Sequence, residues 1–320
     1  VRERTGRAGT TLAVGGAVAI GAMTAVQARV NGVLGVRLGD GIVAGFVSFS
    51  VGLIVLLLVV PLLPSGRAGV ARLWRGVRDR TIPPWMLLGG VCGALTVSTQ
   101  GLVAGVLGVA LFTVGVVAGQ TLHGLVLDRI GIGPAGVVAV TPGRVLGGLL
   151  ALVAVGISLG GDVLSRAPLW MLVLPFATGV GIAFQAAANG RLGQRVSSPI
   201  TATLTSFLGG TLVLAAAAGL SILAGGPPNA LPAEPWLYLG GLLGFAYILL
   251  GVVVVARTGV LLMGLGAVLG QLATSIAIDF LWPPAAGPAA WQTVLMIVVA
   301  ACSVVVAVPW RRRRSGGASR

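Results

Sequence analysis

From Thr81 to Leu127 the chain carries no Asp, Glu, Lys or Arg. A soluble domain averages roughly 25% charged residues, so a run of that length would normally hold several. Over all 320 residues the chain is 9% charged and 56% hydrophobic. These charges are too few to coat a water-soluble particle of this size, and the apolar surface must face lipid. A membrane-crossing helix needs roughly 20 mostly apolar residues. The run from 81 to 127 holds two with a tight turn between them, and the charge-free stretches 8–28, 41–66, 167–190 and 258–278 hold one each. The full reading is ten spans, near 10–29, 42–63, 85–105, 109–127, 141–159, 169–189, 199–222, 236–256, 259–280 and 291–309.

The formal charge of +14 does not point to nucleic acid, because of where it sits. All 21 basic residues are Arg, and they fall between or beyond the expected spans. With the N-terminus in the cytoplasm only Arg29, Arg37 and Arg166 lie outside, which leaves 18 of the 21 inside. Cytoplasmic loops carry such an excess, and the opposite orientation inverts it. Both termini are therefore expected in the cytoplasm, with the tail Arg311, Arg312, Arg313 and Arg314 against anionic lipid headgroups. The all-Arg usage points to a bacterial chain, and the expected location is the cytoplasmic (inner) membrane. The first span is Gly-rich without a cleavage-site pattern, so no cleavable signal is expected. Cys92 and Cys302 both lie within spans and suggest neither a disulfide nor a metal site. One His, two separated Cys and no mid-membrane acid leave no catalytic constellation. The chain is read as no enzyme, with no cofactor and no metal.

The chain also repeats itself. A shift of 158 residues aligns 21–52 with 179–210 without a gap: Gln27 falls on Gln185, Asn31 on Asn189, Arg37 on Arg195, and Ser48-Phe49 on Ser206-Phe207. A shift of 151 aligns Pro84-Trp85 with Pro235-Trp236, Gly119-Gln120 with Gly270-Gln271, and Asp128 with Asp279. Among 52 glycines chance Gly matches are easy; matches at Gln, Asn, Trp and Asp are not. The repeat puts a turn near 105–108, which gives each half five spans. An odd number forces the second half into the membrane upside down. The five Arg between spans 2 and 3, against none at 224–235, agree with that independently. The expected fold is all-α integral membrane, ten transmembrane helices as two inverted five-helix repeats: a tail 1–9, repeats 10–160 and 168–309, and a basic tail 310–320. Inverted repeats mark many secondary transporters, whose substrate sits near the midplane between the halves.

Polar residues within the spans are the candidate site. Gln120 and Gln271 fall near the bilayer centre, with His123 and Thr274 one turn on, on the same faces. An unsatisfied amide there costs several kcal/mol, so each either lines a cavity or bonds a neighbouring helix. Thr96, Thr99 and Gln100 form a stripe in span 3; Tyr247 and Gly251 replace Thr96 and Gln100 in the repeat. Gln27 and Asn31 at one end of span 1, with Gln185 and Asn189 at the opposite end of span 6, read either as outer and inner gates or, for Asn31-Gly32 and Asn189-Gly190, as helix caps. Asp128 and Asp279 at span ends read as structural carboxylates. Gly-x-x-x-Gly pairs such as Gly89/Gly93 and Gly240/Gly244 permit close helix approach.

The Gln27-x-x-x-Asn31-Gly32-x-Leu34-Gly35 segment, the Pro84-Trp85 start and the Gly119-Gln120…Asp128 segment, each found in both copies, resemble the YdcZ-like family of the drug/metabolite transporter superfamily in its fused, duplicated form. The resemblance covers about residues 10 to 309 and implies a ten-helix fold and export. A more distant similarity to small multidrug-resistance proteins does not carry over their membrane-embedded Glu, because the span Thr11 to Ala28 has no acid. The expected function is alternating-access export of a small neutral or amphipathic solute; the alternative is a non-transporting scaffold or lipid scramblase. A homo-oligomer stays open.

Overall fold

The computed structural model describes residues 2–134, 136–137, 139–158, 168–283 and 289–307. The basic tail Arg311 to Arg314 and the linker arginine Arg166 lie outside these. Among the described residues ten α-helices of eleven residues or more carry the chain: α1 Arg2–Leu38, α2 Gly41–Val59, α3 Pro64–Arg78, α4 Gly89–Thr99, α5 Val109–Ile130, α6 Pro142–Ser158, α7 Leu169–Arg195, α8 Pro199–Gly225, α9 Leu239–Leu281 and α10 Ala290–Ala307. No strand occurs among the described residues. Among the described residues seven apolar helical segments are long enough to cross a bilayer: Gly15–Leu38, Gly41–Leu62, Pro84–Leu107, Val109–Ile130, Leu169–Arg195, Pro199–Gly225 and Pro235–Val254. Three shorter ones, Val145–Ala154, Gly266–Leu281 and Ala290–Ser303, fall where spans 5, 9 and 10 are expected.

Two expectations shift. Helix α1 runs on to Leu38, past the expected end at 29, so Asn31-Gly32 lies inside the helix and caps nothing. The same holds for Asn189-Gly190 within α7. The segment after span 2, read as a basic loop, folds as α3, with Gly66, Gly69 and Gly76 on its buried side and Trp74 71% exposed.

The turn expected at 105–108 forms at Gly108. After α4 the chain makes one π-turn over Gln100–Ala104 and a last turn Gly105–Leu107, then reverses at Gly108 with φ 87 and ψ 160, a backbone open only to glycine. Asp279 stabilises the new start: Val109 N donates to Oδ1 (2.9 Å) and Ala110 N to Oδ2 (2.7 Å). An anion on the first free N–H groups of a helix is favourable, which makes Asp279 a structural carboxylate. The copy of this hairpin is α9. Its backbone is helical throughout, yet its two ends cannot share one straight axis. Gly240 and Gly244 abut Asn31 and Gln27, while Gly21 abuts Ala267 and Gln271, all on the same stretch of α1. The axis therefore reverses between Val254 and Ala267.

Contacts between the halves come in pairs. Gly21 meets the Ala267 carbonyl and Gln271; its counterpart Gly179 meets the Val116 carbonyl and Gln120. Asn31 packs on Gly240, and Asn189 on Gly89. At the centre Phe49 stacks on its own counterpart Phe207, ring centroids 4.7 Å apart and planes at 26°. The equivalent helices α2 and α8 run antiparallel: Asp40 bonds Ser221, Gly45 lies beside Leu214, and Gly52 and Gly210 each seat the other helix's Phe.

Candidate functional site

Two clusters of amides sit where the halves meet, and they differ. In the first, Asn31 Nδ2 donates to Gln100 Oε1 (2.7 Å), Gln100 Nε2 donates to Gln27 Oε1 (3.4 Å), and Gln27 Nε2 donates to the Gly240 carbonyl (2.8 Å). All three side chains are buried, none of them lines the cavity described below, and Asn31 Oδ1 is left without a partner. The π-turn starts at Gln100, and such turns recur where a helix is adapted to a site.

In the second cluster Gln185 and Asn189 hold the positions of Gln27 and Asn31, but Gly251 stands where Gln100 does. A Cβ on Gly251 would meet nothing within 4 Å. Ser206 Oγ donates to Asn189 Oδ1 (2.7 Å), while Gln185 Nε2 is buried without a hydrogen-bond partner. A cavity of about 180 Å³ opens here between α1, α5, α7 and α9. Its walls are mostly aliphatic, with Ile20, Ile182, Ile248, Met263 and Val268 among them, and its polar groups include Gln120, Gln185, Asn189, Tyr247 and Gln271. Gln271 Oε1 is buried and without a partner.

Five of the candidate residues therefore share one cavity. Gln120 and Gln271 bring their copies' matched amides into it, and Tyr247, Gln185 and Asn189 complete it. Gln27, Asn31 and Gln100 form the sealed cluster instead. Thr96 is buried, with its hydroxyl donated to the Cys92 carbonyl (2.9 Å). His123 and Thr274 are half-buried and do not line the cavity. Sequence reading missed Thr24, Thr121 and Asp128 as wall residues. Thr24 lies three before Gln27, one turn away on a helix, and that spacing was the available signal. Asp128 is buried and engaged within the protein. Among the described residues no group of His, Cys, Asp and Glu is placed to hold a metal.

The family model described as "Putative inner membrane exporter, YdcZ" matches residues 12–158 and again 170–306. The chain belongs to the YdcZ family. Both copies of the family unit are present, so this YdcZ protein is the duplicated form, and its helices are those of an inner-membrane exporter family rather than of an enzyme. No curated protein matches it in sequence. A solved structure, "Crystal structure of protein", is 18% identical with a TM-score of 0.51. The match covers 94% of this YdcZ chain and 98% of that one, and the likeness is one of fold.

Proposed function

We propose that this YdcZ-family protein is a secondary transporter that exports a small neutral or amphipathic solute by alternating access. In this reading the chain crosses the membrane ten times as two inverted five-helix halves, with both termini cytoplasmic. The observation that carries it is the cavity itself: it lies between the halves and takes one amide, Gln120 or Gln271, from the same place in each copy. A site held jointly by two pseudo-equivalent units opens to either side when the units exchange shapes. The antiparallel run of α2 against α8 supports the inversion, since equivalent helices of inverted halves point in opposite directions. The arginines of α3, absent from the corresponding 226–235 segment, support a cytoplasmic placement of that face. The sealed cluster Gln27–Asn31–Gln100 is then the closed gate, and Gln185 and Asn189 belong to the open one.

Aliphatic walls with amides and one phenol suit an uncharged or weakly polar molecule. Proteoliposome counterflow with a panel of such solutes tests the reading, and the Gln120→Ala/Gln271→Ala double variant should lower flux at least tenfold. Full flux in that variant removes both amides from the site. Accessibility tags at Pro228 and Gly316 should report opposite sides of the membrane; the same side for both ends the inverted arrangement.

A further inference from the structure

The repeat supplies its own ligand analogue. In the sealed cluster the Gln100 carboxamide does what a bound molecule would do: its oxygen takes the Asn31 N–H, and its nitrogen gives a hydrogen to Gln27. The other copy keeps both partners as Gln185 and Asn189 but has Gly251 in place of the third amide, and the space is open. We propose that this space is a subsite for a neutral carboxamide-like group of the solute, held by Gln185 and Asn189 as Gln100 is held by Gln27 and Asn31. The proposal rests on the reading of this cavity as the solute site and names the solute's chemistry.

Polarity makes the choice. A buried amide left unpaired is costly, so a molecule that completes it gains what the protein forgoes when empty. The Gln185 Nε2 hydrogens lack an acceptor in the protein, and on the pattern of the sealed cluster the Asn189 N–H asks for an acceptor and the Gln185 carbonyl oxygen for a donor, all on one small planar group. A carboxylate would bury its charge against aliphatic walls with Asp128 and no basic residue among the described lining residues, and an ammonium has no acceptor. A primary amide, a urea or a lactam has both. Asp128, the acid on the cavity wall, is already engaged within the protein and is not free to recruit a cation. The rest of the cavity is aliphatic and takes an apolar remainder.

The test uses the full-length protein in lipid nanodiscs with three isosteric probes: benzamide, benzoate and benzylammonium. Benzamide should bind with one-to-one stoichiometry by calorimetry, raise the unfolding temperature, and bind at least tenfold more tightly than either ion. Gly251→Gln should abolish benzamide binding and raise the unfolding temperature of the ligand-free protein, because the introduced amide reproduces the sealed cluster. Gln185→Leu, which keeps the side chain's size, should weaken benzamide at least tenfold. Equal binding of the three probes, or benzamide binding that survives in both Gly251→Gln and Gln185→Leu, overturns the subsite. Benzamide binding without any solute flux leaves the subsite standing and removes transport. Flux of other solutes with no benzamide binding does the reverse.

Discussion

The corner between α1 and α2 and the corner between α7 and α8 solve one problem with different residues. Each must end a helix, reverse, and start another within two or three residues. Gly39 (φ 68) makes the left-handed turn in the first, and Ser197 (φ 45) in the second. Asp40 caps α2 by accepting from Ile42 N (2.8 Å) and Val43 N (3.0 Å), and also takes the Ser221 hydroxyl (2.6 Å). Its counterpart Ser198 caps α8 through one backbone group, Thr201 N at 3.4 Å, and also accepts from the Thr201 hydroxyl at 2.9 Å. The last carbonyls also find different donors. Leu38 O accepts from Asn229 N (2.9 Å), on the 226–235 segment, which has no arginine and whose Glu234 forms an exposed ion pair with Arg37. The equivalent carbonyl, Val196 O, accepts from Arg72 Nε (2.6 Å) on α3. Packing between the halves holds both corners to one backbone; what covers them is free to differ, and only one cover is cationic. The geometry belongs to the fold; on the proposed inverted topology, the charge follows the side of the membrane.

That comparison predicts unequal costs for matched substitutions. Asp40→Ala should be the largest, about 2 kcal/mol, because two backbone N–H groups and the Ser221 hydroxyl lose their acceptor; a melt indistinguishable from wild type would show that water replaces the cap. Arg72→Ala should cost about 1 kcal/mol, a half-exposed cation at a helix C-terminus being screened. It should also raise proteolysis within α3, while Asn229→Ala, which keeps the backbone donor to Leu38, should leave the melt almost unmoved. Ser197→Gly should stabilise by about 1 kcal/mol by relieving a left-handed non-glycine residue. The corresponding Gly39→Ser should destabilise, and gains from both would break the comparison. Ser198→Ala should be the smallest, about 0.5 kcal/mol, because its one backbone cap bond is long and the Thr201 hydroxyl keeps the Gly66 carbonyl as an acceptor.

Much of this was legible in the residues. Charge-free runs placed the helices, and the repeat placed the break at Gly108, because both signals survive in one dimension. The register of α1 was not legible. Asn31-Gly32 reads as a helix end only while nothing is known of Gln100, 69 positions on, whose side chain satisfies the Asn inside the helix. The helix α3 was read as a loop because four arginines interrupt its apolar residues, although Gly69 marks the face that packs on the start of α8 at Ser198 and Thr201. Gly251 was noted only as a missing polar residue. That a missing side chain makes a cavity depends on what fails to fill the gap from neighbouring helices, and a linear pattern does not contain that.

The stacked pair Phe49 and Phe207 has a geometric consequence for any cycle in which the two copies trade shapes. Such an exchange is equivalent to a half-turn of the molecule, and only points on the rotation axis come back to where they began. Two rings that pack on each other as mutual images straddle that axis. They form a fulcrum whose contact is kept while the outer helices swing, so a cross-link there should be tolerated where one at the rim would arrest the cycle.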